Sequence, residues 1–223
     1  PIIIISGHGT VDLAVKSIKN GAYDFLEKPF NSDKLIILAR RAIESSQLIN
    51  ENKDLKDLVV PNKPLIGNSQ FIKKLSKIIN EQATSNSRLY ISGEFGTGKK
   101  HLANLIHQKS QFKDKLPVAI DFRKLTNEAL DKLFLDTKEN LNENLFVRSN
   151  NNTLILLNIE YLPLHYQKKL IFFLENKNFF ENHDINLNLK IISISEKKLN
   201  LEIDKGNFLK RLLDRISTVS IKT

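Results

Sequence analysis

Apolar positions along this chain fall into short unbroken runs separated by helical stripes. Residues 1–5 read Pro-Ile-Ile-Ile-Ile and end at Ser6-Gly7-His8-Gly9, which predicts a buried strand stopped by a glycine turn. Thr10 is placed to cap a helix carrying Ala14, Val15 and Ile18 on one face, Gly21 stops it, and Tyr23-Asp24-Phe25-Leu26 predicts a second strand. Two strands joined through a helix by short connections predict a parallel pair. Glu27-Lys28-Pro29-Phe30 then turns into a helix from Ser32, with Leu35, Ile36, Ala39, Ala42 and Ile43 inward. That helix runs on through Leu48, Leu55 and Leu58, whose spacing by seven and three suits a coiled-coil seam. A short dimer stalk and a solvated linker helix are both open readings.

Pro61 and Pro64 bracket a break, and the pattern restarts at Leu65-Ile66-Gly67 with Ser69 as a helix cap. Strands are predicted at Leu89-Tyr90-Ile91-Ser92, Val118-Ala119-Ile120-Asp121, Thr153-Leu154-Ile155-Leu156-Leu157 and residues 189–194, with helices between them. This alternation predicts a three-layer α/β domain. From Asp136 to Asn152 there is little periodicity and much Asn, which reads as an irregular, mobile connection.

The chemistry concentrates where one of these strands meets a helix. Gly93-Glu94-Phe95-Gly96-Thr97-Gly98-Lys99 follows the strand at 89–92 and leads into Lys100-His101-Leu102-Ala103. Glycines let successive backbone N–H groups converge on phosphate oxygens, a helix N-terminus adds positive potential, and Lys99 supplies a point charge. The loop predicts a nucleotide, ATP or ADP with or without magnesium, held by Gly93, Glu94, Phe95, Gly96, Thr97, Gly98, Lys99 and Lys100. Lys100 occupies the place where a phosphate-binding loop ordinarily carries Ser or Thr for magnesium.

Composition narrows the alternatives. With 223 residues and 41% hydrophobic content, the chain can build a substantial core. It has no Cys, which excludes a disulfide framework and thiolate metal sites and agrees with a reducing cytoplasm. The apolar start is too short to span a bilayer. No Met occurs anywhere, so a fragment or a processed product is expected. The net charge of +9, from 34 Lys and Arg against 25 Asp and Glu, is scattered among Asn and Ile rather than gathered. Diffuse charge of that kind favours solubility over a specific polyanion site. His8, His101, His107, His165 and His183 lack ligand spacing, and no metal site is predicted.

Two stretches together resemble a known family. Ile4-Ile5-Ser6-Gly7-His8-Gly9-Thr10 with Gly21-Ala22-Tyr23-Asp24-Phe25-Leu26-Glu27-Lys28-Pro29-Phe30 resembles the last third of a two-component receiver domain. Asn86-Ser87-Arg88 leading into Ser92 through Lys99 resembles the AAA+ module of the NtrC family, the sigma-54-dependent response regulators. Thr153 to Pro163, Gln167, Lys169 and Leu170 keep a further family segment, and Gly206, Phe208, Leu212 and Arg215 keep part of its arginine segment. The receiver wording and the Asn-Ser-Arg run are most similar to the NtrX-like branch, whose partner is an NtrY-like sensor kinase.

The resemblance implies the C-terminal part of a flavodoxin-like receiver over residues 1–45, a helical linker over 46–64, and a P-loop AAA+ three-layer α/β domain over 65–223. It assigns Ser6, Tyr23 and Lys28 to a phosphorylation switch: hydroxyl, aromatic reporter and phosphoryl-binding lysine. The phosphoacceptor aspartate belongs to the part of a receiver that precedes residue 1. Arg215 matches a family arginine that acts on a neighbouring subunit's nucleotide. Implied partners are the NtrY-like kinase, RNA polymerase or promoter DNA through regions outside this chain, and further copies in a homodimer or higher oligomer. Cytoplasmic location is implied as well.

Departures from the family pattern are equally specific. The acidic pair that orients hydrated magnesium and activates water at the end of the 153–157 strand is replaced by Leu157 and Asn158. Leu offers no oxygen, and Asn cannot accept a proton, a role worth about 10²- to 10⁴-fold in rate. Glu160 lies two positions further on, Leu209 stands at the arginine-finger position, and Glu196 replaces a sensing Asn. The family's GAFTGA-type loop, with which activators touch sigma-54, is also missing, as it is in NtrX-like members. The expectation is therefore a regulatory module that binds nucleotide and does not hydrolyse it effectively. An active ATPase relying on Glu160 and a remnant of a decaying gene are the alternatives.

Overall fold

The computed structural model describes residues 1–7, 11–59, 64–135, 138–176, 179–180, 182 and 184–223, with side chains described outside 47–59 and 138–140. His8, Thr10, Pro61, Asp136 and His183 lie outside the described residues, as do the side chains of Leu48, Leu55 and Leu58. The chain divides into two units, Pro1–Pro61 and Asn62–Thr223.

In the first unit β1 (Ile3–Ser6) and β2 (Asp24–Glu27) pair in parallel, with Ile3 opposite Asp24 and Ser6 opposite Glu27. They are joined through α1 (Val11–Lys19), which Gly21 terminates in the left-handed conformation at φ 99°. The predicted apolar face of α1 is not buried: Ala14 is half-covered, whereas Val15 and Ile18 are exposed. A two-stranded sheet has too little face to cover a helix. The last helix of this unit, α2 (Ser32–Val59), runs without a break from the receiver span into the predicted linker as far as Val59. Its inward positions are Leu35, Leu38, Ala39 and Ala42, the i, i+3, i+4, i+7 stripe of one helix face, and Ile36 and Ile43 point outward instead.

The second unit is a five-stranded parallel sheet in the order β4-β5-β6-β3-β7. Its strands are β3 (Leu89–Ser92), β4 (Val118–Asp121), β5 (Asn152–Leu157), β6 (Leu189–Ser195) and β7 (Val219–Lys222). The sequence pattern missed β7, although Val219-Ser220-Ile221 alternates as an edge strand should. Continuous apolar runs mark β3, β5 and β6 as central strands, covered on both faces.

One face packs against α3 (Gln70–Thr84), which Ser69 caps by accepting from the Ile72 N–H at 3.3 Å, and against α4 (Lys99–Gln108). Leu75, Ile79, Leu102, Ile106, Ile155 and Ile192 form that layer. Opposite, α5 (Asn127–Leu133), α6 (Leu145–Arg148), α7 (Leu164–Glu175), α8 (Leu199–Asp204) and α9 (Lys210–Ile216) enclose a core rich in Phe. Phe134, Phe146, Phe173 and Phe180 meet there at ring-centroid distances of 5.5 to 6.5 Å.

The segment expected to be irregular and mobile is packed over its described residues. A 3-10 turn spans Lys138–Glu143 and α6 follows, with Leu141, Leu145 and Phe146 almost completely buried. Asn144, read as loop composition, is a buried cap. Its Oδ1 accepts from the Phe146 N–H at 2.9 Å and its Nδ2 donates to the Leu135 carbonyl at 2.6 Å.

Candidate nucleotide-binding site

All five strands are parallel, so their carboxyl ends share one edge, and the glycine-rich loop leaves β3 there for α4. Gly96 and Gly98 both sit at φ 82°, a left-handed conformation that a side chain would strain. Gly93 is required by crowding. A Cβ there would come 2.2 Å from Thr223 Oγ1 and 2.7 Å from the Thr223 carbonyl oxygen. Thr223 reaches this position because its N–H donates to the Ser92 carbonyl at 2.9 Å, continuing the ladder of β7. Its hydroxyl meets that of Thr97 at 2.8 Å.

Lys99 is 6% exposed, and its Nζ donates to the carbonyls of Gly93, at 2.9 Å, and Glu94. The ammonium is thereby held over the loop rather than released to solvent. Lys100, one residue into α4, is exposed and makes no ion pair among the described residues. Glu94 and Phe95 are exposed, Phe95 at 81%. A cavity of about 760 Å³ lies beside the loop, lined by Gly93, Thr97 and Tyr90 and by Lys197, Leu201 and Asp214 on the facing side. That size suits a small ligand. Burial raises the Tyr90 phenol above its ordinary pKa, the Ser195 hydroxyl opposes the rise, and the charge of Glu160 adds to it.

Two strands along the edge, beyond β6, β5 ends at Leu157 and Asn158 follows it. Leu157 packs with the apolar layer of Leu75 and Ile155. Asn158, at φ 55°, donates through Nδ2 to Asp121 Oδ1 at 2.7 Å. Asp121 also accepts from the Arg123 N–H at 3.2 Å and lies 3.9 Å from the Arg123 and Lys124 side chains. Arg123 in turn stands 3.7 Å from Glu196 at the end of β6. Sequence reasoning missed this Asp121-Asn158-Arg123-Glu196 chain, because nothing in linear spacing signals that three strand ends converge.

Glu160 is a structural anchor in this arrangement. It is 7% exposed, and its Oε1 accepts from the N–H groups of Glu196 at 2.9 Å and Lys197 at 3.1 Å. Its Oε2 is buried without a hydrogen-bond partner. The carboxylate ties the β5 exit to the β6 exit and is committed to those amides.

Away from the loop, Arg215 pairs with Glu175, its Nε donating at 2.6 Å, and Arg211 donates to the same carboxylate from Nε at 3.0 Å. The two guanidinium groups hold the Glu175 carboxyl well below its ordinary range, at about 2. Arg88 adds a brace by donating to the carbonyls of Arg215 at 2.9 Å and Leu174 at 3.0 Å. His107 is buried between Thr153 Oγ1 at 2.9 Å and the Lys115 carbonyl at 2.7 Å. In the first unit, Ser6 and Lys28 lie at the carboxyl edge of the parallel pair, the Lys28 N–H donating to the Ser6 carbonyl at 2.8 Å. Tyr23 precedes β2, and its N–H donates to the Ile2 carbonyl at 2.8 Å.

A glycine loop between an interior strand of a parallel sheet and a helix defines a P-loop nucleotide-binding fold of the AAA+ kind. The chain belongs to the sigma-54 interaction domain family, whose model matches residues 65–222. It is 37% identical over 232 residues to an NtrX-like response regulator of Rickettsia bellii, covering all of this chain and 48% of the relative. It is 32% identical to the nitrogen assimilation regulatory protein NtrX of Azorhizobium caulinodans, covering 100% of this chain and 50% of that protein. Among solved structures it is similar to NtrX of Brucella abortus in complex with ATP, at a TM-score of 0.81 and 31% identity, over 100% of this chain and 49% of the other. The ADP complex of the same protein matches at 0.78, also at 31% identity, over 100% of this chain and 52% of that one. The chain thus spans about half the length of the relatives it matches.

Proposed function

We propose that this chain is the receiver-end and AAA+ portion of an NtrX-like response regulator that acts in transcription, and that its AAA+ module holds ATP or ADP without turning ATP over effectively. The reading assigns residues 1–45 to a receiver, 46–64 to a linker and 65–223 to the AAA+ domain. One observation carries it: a P-loop with its glycines and Lys99 in place shares the carboxyl edge of the sheet with the end of β5, where Leu157 and Asn158 stand for the acids of hydrolysis. Glu160 gives no support to the competing reading of an active ATPase, since its Oε1 already accepts from two amides and its Oε2 is buried.

In this reading the module is a nucleotide-responsive scaffold. Bound nucleotide would tie the β3 exit to α8 and α9, across the cavity they line. Ser6, Tyr23 and Lys28 would relay phosphorylation received from an NtrY-like kinase, with a cytoplasmic homodimer or larger oligomer acting on RNA polymerase or promoter DNA. Among the described residues no helix is long and apolar enough to cross a membrane. Calorimetric titration of the purified chain with ATP and ADP tests the nucleotide part. Saturable binding that Lys99→Ala abolishes is expected, and heats indistinguishable from dilution would refute it.

A further inference from the structure

Magnesium accompanies nucleotide in P-loop proteins through the hydroxyl that follows the loop lysine and through strand-end carboxylates. The donor set of this chain does not fit that ion. Lys100 stands at the hydroxyl position, and an ammonium repels a cation. Leu157 contributes only methyl groups, packed into the apolar layer. Asn158 donates its Nδ2 to Asp121 and offers a cation only a neutral amide oxygen where a carboxylate would carry charge. The carboxylates still present at the edge already face positive or N–H groups or are closed off: Asp121 faces Arg123, Lys124 and Asn158, Glu196 faces Arg123, and Glu160 has Oε1 on two backbone amides and Oε2 buried. Glu94 and Asp214 reach the wall of the cavity, yet among the described residues no three carboxylate or imidazole groups gather to hold a metal.

We infer that this site binds its nucleotide as the metal-free anion, with the Lys100 ammonium supplying the positive charge that magnesium supplies elsewhere. The inference rests on the nucleotide-binding reading above and sharpens it. Free ATP or ADP carries more negative charge than its magnesium complex. Two adjacent lysines, the loop amides and the N-terminus of α4 attract the more highly charged form more strongly. Magnesium in solution then competes for the ligand instead of assisting it.

The same calorimetric titration, run with ADP and with ATP in excess EDTA and again in excess magnesium chloride, separates the possibilities. The expected result is binding in EDTA at least as tight as in magnesium, and a loss of about tenfold in EDTA for Lys100→Ser. Circular dichroism of the variant checks that the fold survives. Binding that appears only with magnesium, or a Lys100→Ser affinity in EDTA equal to that of the parent, overturns the metal-free inference and leaves the nucleotide reading standing. Failure of the parent chain to bind in either buffer overturns both.

Discussion

Lys190 is the most buried cation among the described residues, 1% exposed near the start of β6, with its Nζ donating to the carbonyls of Gln82 and Ser85. Burial lowers its pKa from the ordinary 10.5 to about 8. Between those two values the unfolded chain keeps a proton that the folded chain has lost, so stability rises with pH across that window. Relative to Lys190→Met, the parent should gain on the order of 3 kcal/mol from pH 8 to 10.5, read by urea denaturation at each pH. Parallel pH profiles for the two proteins would contradict this. At the loop, Gly98→Ala places a Cβ on a backbone at φ 82° and should cost about 1–2 kcal/mol of stability and weaken nucleotide binding. The need for glycine at 96 and 98 was legible in the sequence because loop chemistry is local. The crowding at Gly93 was not, because Thr223 arrives from 130 residues away through β7.

Strands and helices were legible wherever an apolar period ran uninterrupted. The four predicted strands of the second unit appear at their predicted positions, and Ser69 caps α3 as its spacing implied. Errors fell where burial depends on a distant partner. Residues 136–152 read as an irregular, mobile connection because Asn is frequent and periodicity weak, but Asn144 serves backbone groups on both sides of itself while Leu141, Leu145 and Phe146 fill the Phe-rich core. Asn144→Leu should therefore destabilise the fold by about 1–3 kcal/mol, measured by denaturant unfolding, since two backbone groups lose their partner. A neutral result would return this segment to the status of a loop. The Glu175 pair with Arg211 and Arg215 ties the end of α7 to α9. Its folded pKa of about 2 lies below the ordinary value of 4.5, so its contribution is present above pH 4.5 and is lost as pH falls towards 2. Glu175→Gln should flatten the acid limb of stability in that window, and an unchanged acid limb would show the pair to be immaterial.

On the scale of the whole chain, a glycine loop sits at the carboxyl edge of a parallel sheet whose β5 ends in Leu157 and Asn158, and the proposal is that this edge holds nucleotide without hydrolysing it. Leu157 belongs to the core, Asn158 and Asp121 hold each other, and Glu160 fastens two strand exits. The family and the nucleotide loop could be read from the sequence, since each rests on contiguous residues. The network joining Asp121, Arg123, Asn158 and Glu196 could not, because it exists only once β4, β5 and β6 lie side by side. Phosphate release from ATP by the purified chain, compared with Lys99→Ala under the same conditions, tests this account most directly. Equal release at background level from both proteins is predicted. Release well above background that vanishes in Lys99→Ala would contradict the account.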